Sequence, residues 1–228
     1  GKYKKLSERV NYPYNPEFIF TSINTTSDDF FKHWAAIKTE AGSKLVILQH
    51  GGNYGIDLMN FHEEYEVDIS DNFLSWGWDS ESDKVLPLGV DNIYGLKIRK
   101  NNNKRDILKN IVFIQAAYSR YPIYKFSQLI SAYQWNIYFK HQIEFTSRLS
   151  IELRKKLIIK LYPSDLGCQQ HLKWSLYFKS LRLDKNTPIK KFYKNADLII
   201  IGYNGTTYLE TLGLNIPSII FWDKSLFL

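Results

Sequence analysis

A chain of 228 residues, 44% hydrophobic and 23% charged, has ordinary globular usage, with room for one large domain or two small ones. The net charge of +7 comes from 30 basic residues spread along the chain and dense only at positions 2–5 and 97–105, which describes a solvated lysine-rich surface and argues against a nucleic-acid partner. A single cysteine, Cys168, excludes an intrachain disulfide and argues against a cysteine-held zinc site. No signal peptide is visible and no apolar run reaches the ~18 residues of a membrane span, so the cytoplasm is the expected location. The chain begins at Gly1 rather than methionine and stops at Leu228, shortly after an apolar strand-like run. A longer parent chain, incomplete here at both ends, is the expectation.

The first part reads as strand, helix, strand. Residues 17–21 are a short apolar strand. Ser27 or Asp28 caps a helix to Glu40, with Phe30, Phe31, Trp34, Ala35 and Ile37 at helical spacing and Gly42 as its stop. Residues 44–49 form a buried strand, completing a βαβ unit whose strands run parallel. Residues 72–76 and 84–88 offer two more short strands. The stretch 91–105 is polar, charged and asparagine-rich, with little to bury, and reads as a connector.

Alternation then resumes. Residues 111–115 are a strand, and a long helix is expected over 126–149, with Leu129, Tyr133, Ile137, His141, Phe145 and Leu149 four residues apart. A strand at 157–162 stops at Pro163, a short helix covers 169–179, and a strand lies near 181–183. Pro188 opens a helical turn, residues 197–201 are a core strand, a helix from Thr206 ends at Gly213, and residues 217–222 are the last strand. Short β-branched strands alternating with helices predict an α/β fold with doubly wound, mostly parallel sheets. Two such blocks predict two Rossmann-like domains facing a cleft. Residues 1–95 are the C-terminal part of an acceptor-side domain, 96–106 a linker, and 107–228 a donor-binding domain.

Three strand ends carry the candidate chemistry. The strand before Gly202 delivers the chain to Tyr203, Asn204 and Gly205, which open onto a helix starting at Thr206 and Thr207. Ligands sit at the carboxyl ends of parallel strands, and a helix start offers unpaired N–H groups and partial positive charge to a phosphate. Glu210, one turn in, is placed to reach a ribose hydroxyl; the plainer reading makes Thr206 a cap and Glu210 a favourable first-turn acid. The second segment is Gln49, His50, Gly51, Gly52, Asn53, Tyr54 and Gly55, a histidine among glycines at a strand end, suited to general-base work on an acceptor hydroxyl. The third is the loop with Lys160, Tyr162, Ser164 and Asp165, further donor contacts or an ordinary turn capped by Asp165. No second histidine follows His62-Glu63-Glu64 at zinc spacing, and no Walker loop, Gly-x-Ser-x-Gly elbow or loop Asp-x-Asp pair is present. The scheme therefore expects no metal and no cofactor beyond a nucleotide-activated substrate, with the helix start carrying the metal's electrostatic part.

Phe20-Thr21-Ser22, Trp34-Ala35-Ala36, the Gln49–Gly55 run, Ser75-Trp76-Gly77-Trp78, Pro87-Leu88-Gly89, Leu161-Tyr162-Pro163 and the Tyr203–Glu210 run, in that order, resemble a family of transferases from bacterial surface-polysaccharide clusters (O-antigen, lipopolysaccharide or capsule). More distantly, the pattern is similar to two-domain glycosyltransferases of the GT-B architecture, polyglycerolphosphate transferases among them. The resemblance implies transfer of a sugar or polyol phosphate from a nucleotide donor to a glycan or lipid-linked glycan, at the inner face of the cytoplasmic membrane. It matches His50 to a first-domain base or acceptor group, and Thr206 and Thr207 to hydroxyls that hold donor phosphate. Several relatives carry His-Pro where this chain has Tyr162-Pro163, so no second-domain histidine role carries over. A nucleotide-sugar epimerase of the same architecture and a non-catalytic nucleotide- or carbohydrate-binding module are the alternatives.

Overall fold

The structure, a computed structural model, describes residues 11–57, 60–99, 108–121 and 131–222. The chain divides into two units between Asn92 and Ile93, and each is built on a sheet whose strands are all parallel. Among the described residues no helix is long and apolar enough to cross a membrane.

The first unit runs β1 (Phe18–Thr21), α1 (Asn24–Ser27), α2 (Asp29–Glu40), β2 (Lys44–Leu48), α3 (Phe61–Ile69), β3 (Asn72–Ser75) and β4 (Val85–Pro87), with strand order β1-β2-β3-β4. Asp28 caps α2: its Oδ1 accepts from the N–H groups of Phe30 and Phe31 at 2.9 and 3.1 Å. Gly42, at φ +104°, turns the chain towards β2 in a conformation that side chains disfavour. Phe31 and Ala35 of α2 pack with Ile19, Leu45, Ile47 and Phe73 from the sheet. Helix α3 is absent from the sequence reading. Its local signal was present: Asn60 is the cap, its Oδ1 accepts from the Glu63 N–H at 3.2 Å, and an acid stands three residues on.

In the second unit β5 (Ile111–Ile114), α4 (Ala132–Arg148), α5 (Ile151–Lys156), β6 (Leu157–Lys160), α6 (Gln170–Tyr177), β7 (Arg182–Asp184), α7 (Ile189–Asn195), β8 (Leu198–Ile201), α8 (Thr206–Gly213) and β9 (Ser218–Ile220) give strand order β7-β6-β5-β8-β9. Alternate residues of β5 serve opposite faces. Ile111 and Phe113 join Trp135 and Phe139 of α4 and Trp174 of α6, whereas Val112 and Ile114 join Phe192 of α7 and Tyr208 of α8. Helices thus cover both faces, which is why the central strands are apolar throughout. The strand order reverses between β5 and β8.

Two expectations need correcting in detail. Helix α4 begins after the Ser131 cap, with a capping box to Gln134; the expected start at 126–130 lies outside the described residues. Its buried stripe is Trp135, Tyr138, Phe139, Gln142 and Thr146, while Tyr133 is 74% exposed. Of the stripe read through Tyr133, Phe145 and Leu149 do pack against the core, Phe145 edge-on to Phe113, but its N-terminal part lies off the buried face, whose apolar periodicity Gln142 and Thr146 mask. Part of the expected linker also belongs with the second unit. The Arg99 guanidinium donates to the carbonyls of Ala196 and Tyr193 at 2.6 and 2.7 Å, and Leu96 packs on the α7–α8 side.

Phe113 is fully buried at the centre of the second sheet. Phe113→Ala is expected to destabilise the second unit by about 3–5 kcal/mol, read by urea unfolding, and to leave the first unit's transition where it was.

Candidate functional site

At the end of β2 the chain enters the 49–57 loop, and its first residue is structural. Gln49 is fully buried; its Oε1 accepts from Trp76 N and Trp78 Nε1 at 2.7 and 2.8 Å, and its Nε2 donates to the Gly51 carbonyl at 2.5 Å. It therefore ties the loop after β2 to the loop after β3. Gly55, at φ +75°, leaves room for the Trp78 ring, which a Cβ would approach to 2.6 Å. The Gly55 N–H donates to Glu63 Oε2 at 2.7 Å, and Asn53 Nδ2 donates to Asp57 at 3.0 Å. Gly51 and Gly52 complete the turn, Gly52 buried.

His50 follows Gln49 and keeps about a quarter of its side chain in solvent. Its ring donates to the Ser22 carbonyl, and burial lowers its pKa below the ordinary value, with His62 nearby adding to the same effect. The neutral, proton-accepting form is thus the resting state near pH 7. The Tyr54 hydroxyl lies 3.2 and 3.3 Å from the two ring nitrogens and donates to Glu66 Oε2 at 2.9 Å. Tyr54 is itself buried and stacked on Phe73. Glu66, delivered by α3, is fully buried; its Oε1 has no hydrogen-bond partner and stands 3.8 Å from His50 Nδ1. Burial pushes the Glu66 carboxyl up to about 7, which the Tyr54 hydrogen bond partly offsets. Neither Glu66 nor Ser22 was singled out from sequence as a site residue.

In the second unit, β8 ends at Gly202, whose missing Cβ makes room for the Gln142 amide, 2.3 Å from where a Cβ would stand. Tyr203 and the half-buried Asn204 lead to Gly205, the cap residue of α8, and no side chain caps the helix. A Cβ on Gly205 would meet the Tyr203 ring at 2.7 Å. The Tyr203 hydroxyl and Thr207 Oγ1 share a hydrogen bond at 2.7 Å. The Glu210 carboxylate, 9% exposed, accepts from the Tyr193 hydroxyl of α7. Thr206 is half-exposed, and its hydroxyl has no hydrogen bond among the described residues. Residues 202–207 therefore combine an uncapped helix start with one available hydroxyl, at the point where the strand order reverses.

Beside this turn lie two buried amides. The register pairs Ile114 with Ile201, so Gln115 follows β5 where Gly202 follows β8. Gln115 is 3% exposed with neither amide atom partnered, and Gln142 is 1% exposed with its Oε1 unpartnered. Tyr162 and Asp165 follow β6 at the same carboxyl edge but two strands from β8, roughly 10 Å across the sheet. Tyr162 is about half exposed, and Asp165 Oδ1 accepts from the Gln169 N–H at 2.8 Å. Lys160 turns inward, donating to the carbonyls of Leu161 and Lys185 at 3.1 and 2.9 Å, with Asp184 at 3.7 Å. Among the described residues no group of three or more His, Cys, Asp or Glu side chains is placed to hold a metal ion.

A family model described as LIC12162 family transferase matches residues 2–228. No curated protein matches the chain.

The Glu66 environment predicts a pH effect. A carboxyl held at about 7 in the folded protein, against 4.5 ordinarily, binds more protons folded than unfolded between those values. Stability should therefore fall as pH rises through that window, by on the order of 3 kcal/mol in all. The lowered His50 value acts oppositely, so the informative quantity is the difference between wild type and Glu66→Gln. That variant should gain relative stability from pH 5 to pH 8 in urea unfolding; parallel pH curves would show that Glu66 is not so perturbed.

Proposed function

Since the chain belongs to the LIC12162 family of transferases, we propose that it moves a sugar, or a polyol phosphate, from a nucleotide donor to a surface-polysaccharide acceptor. The observation that carries this reading is the uncapped start of α8 at the crossover of the second sheet. Its backbone N–H groups and the Thr206 hydroxyl are the donors for the donor's phosphates. Thr207, engaged with Tyr203, and Glu210, engaged with Tyr193, hold the turn in shape.

For sugar transfer, an acceptor hydroxyl oxygen attacks the anomeric carbon, the bond to the phosphate oxygen breaks, and the phosphate leaves with the electron pair. The negative charge that develops there meets the helix start, which is fixed before the reaction and needs no reorganisation. In this scheme that electrostatic contribution takes the part a metal ion plays elsewhere. His50, neutral at rest, receives the acceptor hydroxyl's proton. Tyr54 and Glu66 orient the ring, and the buried carboxylate offsets the positive charge His50 acquires. The reading assigns the donor to the second unit and a glycan or lipid-linked glycan to the first, with work at the inner face of the cytoplasmic membrane. Two-domain glycosyltransferases of the GT-B type are the architecture it corresponds to.

Calorimetry with UDP, GDP, ADP, CDP and dTDP checks the donor half. At least one should bind, roughly tenfold or more weakly in Thr206→Val (about 1.4 kcal/mol or more), with Thr206→Ser near wild type. A folded protein that binds none of them contradicts the reading.

A further inference from the structure

A cavity lies in the second unit, apart from the α8 turn. It encloses about 440 Å³ among the loops after β5 and β6 and the starts of α4 and α6, and no residue of 202–207 lines it. Among the described residues its wall carries two cations, Arg120 and Lys173, and no acid. Outside the wall, Asp165 lies close enough to act on Cys168 together with both cations and accepts from the Gln169 N–H.

The frame is fixed by short ties between the two loops. The Arg120 N–H donates to the Leu166 carbonyl at 2.8 Å, Cys168 Sγ donates to the Tyr118 carbonyl at 3.3 Å, and Gln170 Nε2 donates to the Ala116 carbonyl at 2.5 Å. Gly167, at φ +90°, lets Arg120 pack against the turn, its Cβ 3.2 Å from where a glycine Cβ would stand. Lys173 Nζ is held over the Trp135 ring at 4.1 Å. Trp135 is only 5% exposed, yet its indole N–H, on a residue that lines the cavity, has no hydrogen-bond partner. The start of α6 has no side-chain cap either, and its cap residue Gln169 stands in the wall.

Two cations beside a helix start without a side-chain cap outnumber the single neighbouring carboxylate, Asp165, and favour an anion. A volume of about 440 Å³ leaves room for a ligand larger than a bare phosphate. The remaining polar wall, with Asn136, Gln169 and Ser131, suits hydroxyls rather than hydrocarbon. We propose that this cavity binds a sugar phosphate, at a site separate from the helix start that holds the donor.

Indole ¹⁵N NMR of the full chain tests it, with Trp135→Phe identifying the resonance. Titration with glucose 1-phosphate should move the Trp135 signal saturably, and glucose alone should not. Arg120→Gln and Lys173→Gln should each weaken binding roughly tenfold, as loss of a charge-assisted contact does. Arg120 is exposed and Lys173 half-exposed, so both variants should keep the wild-type unfolding curve, and Lys173→Arg should restore binding. Thr206→Val should leave this titration unchanged. No shift at millimolar glucose 1-phosphate, or equal affinity in the Arg120 and Lys173 variants, overturns the site. Loss in Thr206→Val overturns its separateness, and inorganic phosphate binding as tightly overturns the role of the sugar. The donor reading can fail in calorimetry while these outcomes stand, and the reverse.

Discussion

Where strand order reverses between β5 and β8, the loops leaving the two strands part to opposite faces of the sheet. A crevice at that edge follows from chain direction alone. In this chain glycines at that edge admit neighbouring side chains. Gly202 gives up its side-chain volume to Gln142 and Gly205 to Tyr203, and α8 starts with no side chain hydrogen-bonded as its cap. A helix start left this way is under-satisfied unless water or a ligand meets it. The Tyr203–Thr207 and Tyr193–Glu210 hydrogen bonds hold the turn rigid around that opening, and rigidity is what makes fixed dipoles effective toward a developing charge.

The first unit solves a different electrostatic problem. Burying the Glu66 carboxyl with one unpartnered oxygen is costly, since a desolvated charge loses its hydration. The arrangement carries that cost next to His50, a histidine at a strand end with about a quarter of its side chain in solvent. Tyr54 spans the two, donating to the acid and lying against the imidazole. A histidine that gains a proton here gains it beside a group able to become its counter-charge, which is how a base is supported by what lies behind it.

Much of the fold was legible in the sequence because parallel strands covered on both faces must be apolar runs. The strands at 111–114, 157–160 and 198–201 announce themselves that way, and Asp28, Gly42 and Pro188 mark helix ends by chemistry that acts locally. What was not legible depends on long-range partners. The buried face of α4 carries Gln142 and Thr146, polar residues that only the neighbouring Gly202 and the helix's own carbonyls explain. Helix α3 has four acids within nine residues, so it reads as solvent-facing, and nothing local shows that Glu66 alone among them is fully buried. His50 and the 203–207 turn could be picked out as strand-end features. The supports of His50, the partner of Glu210 and the availability of Thr206 could not, because each is set by which element lands beside which.

The central claim is that the start of α8 is the anion site, and backbone amide exchange over residues 205–209, with and without a bound nucleoside diphosphate, tests it most directly. Slower exchange concentrated in that first turn is the expected result. Ligand binding that leaves those amides unchanged and protects another loop of the sheet edge would contradict it.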